Sequence, residues 1–159
     1  MLPRLSGRPI RVEIRRCLGP HLAATSIPRR LVLLDASVLH RRGEFERILI
    51  HEIFHFAWVR LPNATRQSWE EVLITELDRN VPGELGWSAE WRKCKLSRSD
   101  RQSRTRAWRR YACESFCDSA AWLFAGFRTH DDFTLPPRFR HFRRNWLEAN
   151  LPVSSGVPI

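Results

Sequence analysis

Three features of the 159-residue sequence predict an α+β fold, a small N-terminal β-sheet packed on a mainly helical core. Two strand-like segments lie within the first 35 residues. A series of helical segments follows, separated by Pro and Gly breaks. At 43% hydrophobic, the chain is long enough for one core and too short for two well-buried ones. The expected organisation is one domain over residues 1–150 and a flexible tail over 151–159, which carries two prolines.

The elements follow from local pattern. Arg8 to Cys17 alternates apolar and charged residues, as a half-exposed strand does. After a loop containing Gly19, Pro20 and Pro28, Arg30 to Asp35 forms a second strand, with an apolar run Leu-Val-Leu-Leu. A helix starts near Gly43 and stops before Pro62. Asn63 to Asn80 is helical, with Val72, Leu73, Ile74 and Leu77 on its apolar side, and the run Val81 to Gly86 breaks it. Ser88 to Leu96 is a short helix, and polar Ser97 to Thr105 is expected to be a mobile loop or lid. A helix over Tyr111 to Ala125 ends near Gly126, and a last helix over Arg138 to Ala149 closes the domain.

The helix after Gly43 carries the chemistry. His51-Glu52-Ile53-Phe54-His55 places two imidazoles one turn apart on one helical face, where both can grip one metal. Glu52 lies next to that face, positioned to take a proton from water activated by the metal. From Ile48 to Ala57 no other residue is charged, so the helix is buried around a polar site. A buried carboxylate without a partner is costly, which argues against histidines that merely satisfy local hydrogen bonds.

Catalytic zinc takes three protein ligands and keeps an open position. The metzincin arrangement is excluded, since Trp58 and Leu61 stand where it needs Gly and His. Downstream, Glu114 and Asp118 sit four apart on one helical face. Here the chain resembles the gluzincin metallopeptidases, whose pattern is H-E-x-x-H followed on a later helix by E-x-x-x-D. Their compact ImmA/IrrE-type and minigluzincin members are the most similar in length and layout. The resemblance covers two helices and implies a zincin-like core. It implies Zn2+ on His51, His55 and Glu114, with Glu52 as general base and Asp118 orienting a ligating histidine. Glu70, Glu71, Glu76, His130 and His141 remain alternative third ligands, although Ser68 and Glu71 also read as a capping box and Glu76 as surface charge. Tyr111, one turn before Glu114, is the candidate to stabilise an oxyanion, in competition with Arg128 and His130.

Composition bounds partners and compartment. The net charge of +10 comes almost entirely from arginine and suits an anionic partner. Arg92 to Arg110, with Trp91 and Trp108, and Pro137 to Trp146 concentrate it. Such stretches suit nucleic acid or an acidic protein, although a solvated helix face with aromatic anchors in the core gives the same pattern and is preferred. The sequence carries no nucleic-acid module signature. No segment approaches the roughly 20 apolar residues of a membrane span. The first residues contain no apolar leader segment. The four cysteines lack paired C-x-x-C spacing, and Cys113 and Cys117 read as small buried residues. The expectation is a soluble cytoplasmic metalloprotease acting on a peptide or protein substrate. The alternative is a non-catalytic metal protein that binds nucleic acid or an acidic partner.

Overall fold

The computed structural model describes residues 2–41, 43–126, 129–152 and 155–159, and its architecture is the α+β class read from the sequence. Strands β1 (Leu5–Ser6), β2 (Arg11–Arg15), β3 (Ala23–Ser26) and β4 (Leu31–Asp35) precede the helices. A 3-10 turn over Ala36–His40 then leads into α1 (Glu44–Arg60) and α2 (Asn63–Asp78). Next come α3 (Trp87–Lys93), α4 (Arg98–Gln102), α5 (Arg106–Phe124), α6 (Pro137–Asn150) and a last strand, β5 (Val157–Pro158).

The three-stranded sheet has the order β2-β4-β3. β4 lies in the centre, parallel to β2 and antiparallel to β3, because its apolar residues need cover on both faces. β3 was not anticipated: Ala23-Ala-Thr-Ser26 is short and polar, and its strand form comes from pairing with β4. One edge of β3 lies outside the described pairings and runs beside α1.

α1 is apolar nearly all round because it separates two cores. Ile48 and Phe56 pack with Val32, Leu34 and Val38 of the sheet layer. Ile50, Phe54, Ala57 and Trp58 enter the helical core with Trp69, Leu73, Trp108 and Phe116. α5 runs through the middle of that core, and small residues at Ala112, Ser115, Ser119, Ala120 and Ala121 let its neighbours approach closely. Thr105 caps α5 by accepting from the Trp108 backbone amide.

Several expectations change. The region read as a mobile loop, Ser97 to Thr105, contains α4, held by a capping box between Ser97 and Asp100. Ser68 does not cap a helix; it lies inside α2, and its hydroxyl donates to the Thr65 carbonyl. Glu76 is not surface charge: it is buried against Arg143, which also binds Glu84. The chain end, expected to be a flexible tail, docks instead. β5 pairs with β1, with Val157 buried, and Arg30 donates to the Ile159 carbonyl. Composition suggested fraying, but Leu151 and Val157 fill the helical core. No helix among the described residues is long and apolar enough to cross a membrane.

Candidate metal centre

His51 and His55 project from the middle of α1 toward α5, where Glu114 and Asp118 face them one turn apart. His51 Nδ1 donates to Asp118 Oδ1 at 2.7 Å, which fixes the ring and turns Nε2 toward Glu114. His51 Nε2 lies 3.2 Å from His55 Nε2 and 3.3 Å from Glu114 Oε2. With zinc to ligand lengths of about 2.0–2.2 Å, a tetrahedral edge spans roughly 3.3–3.5 Å, so each of these two separations from His51 is close to one edge of a zinc site. The donor types fit as well, since two imidazoles and the Glu52 carboxylate lie within 4.8 Å of one another and Glu114 adds a second carboxylate beside His51.

Without a cation, a proton serves in its place. Burial works against charge on His51, but the Asp118 carboxylate, with Glu114 and Glu52, outweighs it and holds the imidazole pKa well above its ordinary value. Glu114 answers in the opposite sense: burial opposes its ionisation, and hydrogen bonding and charge from His51 pull it down to about 2.

Asp118 is itself fixed. Its Oδ2 accepts from the Ala89 amide in the first turn of α3, and the carboxylate lies against Gly86 so closely that a Cβ there would overlap it. α3 also covers Glu114: Ser88 donates to Oε2, and the Arg92 guanidinium lies 3.1 Å from Oε1. Ser88 and Arg92 belong to the short helix read from the sequence, but no local signal reveals that it docks on α5.

Glu52 is buried, with a carboxylate oxygen within 4.8 Å of nitrogens of both histidines. Thr25 of β3 donates to Glu52 Oε2 at 2.6 Å and anchors the carboxylate to the sheet edge. Sequence reasoning missed Thr25 because β3 was not foreseen. A cleft of about 270 Å³ opens here, lined by Thr25, Ile27, Glu52, His55, Val59 and Glu114.

The other candidates lie elsewhere. Tyr111 does not reach the site. Its hydroxyl is buried and donates to Glu84 Oε1 at 2.6 Å, in the cluster built on Arg143. Tyr111 follows the stripe of α5 that carries Ser115, which also donates to Glu84, and so it is turned away from Glu114. His130 bonds Glu44 at the start of α1, and His141 is beside Asn145 on α6. Glu70 takes the Trp108 indole N–H, Glu71 pairs with Arg104, and Glu76 with Arg143. Arg128 lies outside the described residues.

Cys113 is more than a filler. Its sulfur is 3.4 Å from His55 Nδ1, at the position where His51 has Asp118. A hydrogen bond from Cys117 lowers the Cys113 pKa to about 6, with His55 acting in the same direction against burial. The ligand atoms of His55, Cys113 and Cys117 also lie within 4.8 Å of one another.

Of the charged stretches, only part faces solvent. Arg143 and Trp108 are buried, whereas Trp87 and Trp91 of α3 are 65% and 45% exposed, and the Lys95 ammonium sits 3.7 Å above the Trp91 ring. Comparison with family models, with curated proteins and with solved structures produced no match, so the chemistry of the chain is read from this geometry.

Proposed function

We propose that the protein is a zinc-dependent peptidase of gluzincin type. One observation carries the reading: His51 Nε2 stands at ligand-to-ligand spacing from both His55 Nε2 and Glu114 Oε2, and Glu52 brings a carboxylate oxygen within 4.8 Å of both histidines. His51, His55 and Glu114 hold the ion, and Asp118 keeps His51 in the ligating tautomer. Zinc bound by such a set supplies a Lewis acid that polarises a carbonyl and makes water nucleophilic near neutral pH.

The remaining chemistry belongs to the chain. Glu52 takes the proton of the attacking water and returns it to the leaving amine, while Thr25 holds its carboxylate in place. Substrate lies in the cleft as an extended peptide, and β3, next to Glu52, offers backbone groups along its edge for β-augmentation. With Tyr111 committed to Glu84, Arg92, whose guanidinium lies 3.1 Å from Glu114 Oε1, is the group that meets a developing oxyanion in this reading. Four free cysteines suit a reducing compartment such as the cytoplasm.

The exposed Trp87 and Trp91, with Lys95 and Arg92 beside them, favour a second reading. In it the same metal centre is non-catalytic, and this face binds nucleic acid or an acidic partner.

Elemental analysis and a peptide-library digest of the wild type, Glu114→Ala and Glu52→Gln separate the two. The peptidase reading expects about one zinc per chain, lost in Glu114→Ala and retained in Glu52→Gln, with hydrolysis reduced in Glu52→Gln by about 10² to 10⁴. Zinc retained with cleavage unchanged in Glu52→Gln defeats it. Zinc with no cleavage by the wild type favours the binding protein.

A further inference from the structure

His55 faces two sets of ligands. Its Nε2 points at His51, while its Nδ1 lies 3.4 Å from Cys113 Sγ. Cys117, one turn further along α5 and fully buried, brings a second sulfur, so that a nitrogen of His55 and both sulfurs fall within 4.8 Å of one another. For a tetrahedral ion with bonds of about 2.3 Å to sulfur and 2.0–2.1 Å to nitrogen, the nitrogen-to-sulfur edge is roughly 3.5 Å. The observed 3.4 Å matches it.

We infer that His55 Nδ1, Cys113 Sγ and Cys117 Sγ form a second metal locus, selective for a thiophilic cation, which excludes an ion from the locus of His51, His55 and Glu114. Soft thiolates select such ions, and the carboxylate locus does not share that preference.

The exclusion follows from the ring of His55. A neutral imidazole offers one lone pair. When Nε2 ligates, the ring proton sits on Nδ1 and faces the Cys113 sulfur. When Nδ1 ligates, the proton sits on Nε2 and donates across the 3.2 Å gap to His51 Nε2, whose own Nδ1–H is held by Asp118. Moving an ion from the carboxylate locus to the thiol locus therefore releases two thiol protons to solvent and shifts one His55 ring proton from Nδ1 to Nε2. There it takes the place at His51 Nε2 that a proton on His51 has in the metal-free chain. Both arrangements are fully hydrogen-bonded with the side chains where they stand. The thiol locus exists independently of the peptidase reading, and only its effect on hydrolysis rests on that reading.

Cadmium(II) is the probe, added to a chain in which the exposed Cys17 and Cys94 are replaced by serine. The expected result is a sulfur-to-cadmium charge-transfer absorption that saturates at about one equivalent. It persists in Glu114→Gln and disappears in Cys113→Ser and in Cys117→Ala, each shown to be folded by circular dichroism. Absence of the band from the parent, or its survival in both cysteine variants, overturns the locus. Elemental analysis after cadmium loading is expected to show zinc displaced one for one. Full retention of both metals overturns the exclusion. A zinc-loaded chain that cleaves nothing while the cadmium band behaves as stated would count against the peptidase alone.

Discussion

Asp118 Oδ1 holds His51 Nδ1 at 2.7 Å across 67 residues of sequence, and this one bond sets which nitrogen of His51 faces Glu114 and His55. The same carboxylate takes the Ala89 amide with its other oxygen, so α1, α3 and α5 meet at one side chain.

Asp118→Asn is expected to weaken zinc binding by about 10-fold to 100-fold, because a partner of a ligating histidine is replaced by a neutral amide. Competition with a chromophoric chelator measures it. Unchanged affinity would remove Asp118 from the site.

Gly86→Ala is expected to act in the same direction from outside the ligand set. Its Cβ overlaps the Asp118 carboxylate, which has the Ala89 amide on one side and His51 on the other. A loss of about 1–3 kcal/mol in stability accompanies the weakened zinc binding. Denaturant unfolding of the metal-free protein separates the two effects.

Zinc binding should be coupled to proton release. The pKa of His51 is held well above its ordinary value in the metal-free protein, despite burial, by Asp118 and Glu114, so the ion must displace a proton. Affinity therefore rises with pH until it passes that raised value. The sign for the metal-free fold is opposite: the stabilisation from protonated His51 is full below the ordinary histidine range and is lost as pH rises through the raised pKa. Calorimetry in buffers of different ionisation enthalpy should show release on the order of one proton near pH 7, from His51. No net release would mean that His51 is already neutral.

Arg143→Met leaves the carboxylates of Glu76 and Glu84 buried without their cation and is expected to cost about 3–5 kcal/mol. Burial raises the Glu84 pKa, but Arg143, with Lys93 and Tyr111, outweighs it, so the folded value lies below the ordinary one. The stability from Glu84 is thus present above the ordinary glutamate range and is lost as pH falls through the lowered value. Chemical denaturation from pH 7 to pH 3 should show a shallower acid loss in the variant, and equal slopes would contradict this account.

Tyr111→Phe is expected to leave zinc content and hydrolysis unchanged and to reduce stability by about 1–3 kcal/mol, since buried Glu84 loses a donor. A selective fall in kcat would return Tyr111 to the reaction.

The parts legible in the sequence were those that periodicity and fixed spacing encode. α1 reads from Gly43 to Pro62 because its apolar run has breakers at both ends, and His51 with His55 share a face by helical geometry alone. Glu114 and Asp118 share a face for the same reason, and α5 does bring them to the histidines. What could not be read depends on contacts distant in sequence. Thr25 belongs to a strand that exists only through β4, and Ser88 and Arg92 reach Glu114 only once α3 docks on α5. Tyr111 illustrates the limit of helical spacing, since a residue one turn from Glu114 is rotated far enough along α5 to meet Glu84 instead.

The pairing of β1 with β5 also sets how the molecule bears tension. The two strands run in the same direction, Leu5 opposite Val157 and Ser6 opposite Pro158. A pull on residue 4 and on residue 159 in opposite directions therefore acts along the strands and loads the ladder in shear. The bonds from Val157 N–H to the Arg4 carbonyl and from Ile159 N–H to the Ser6 carbonyl strain together, and neither peels before the other. Force applied at the ends meets this clasp before it reaches α1 or α5, so the histidines and Glu114 keep their spacing until the clasp gives way.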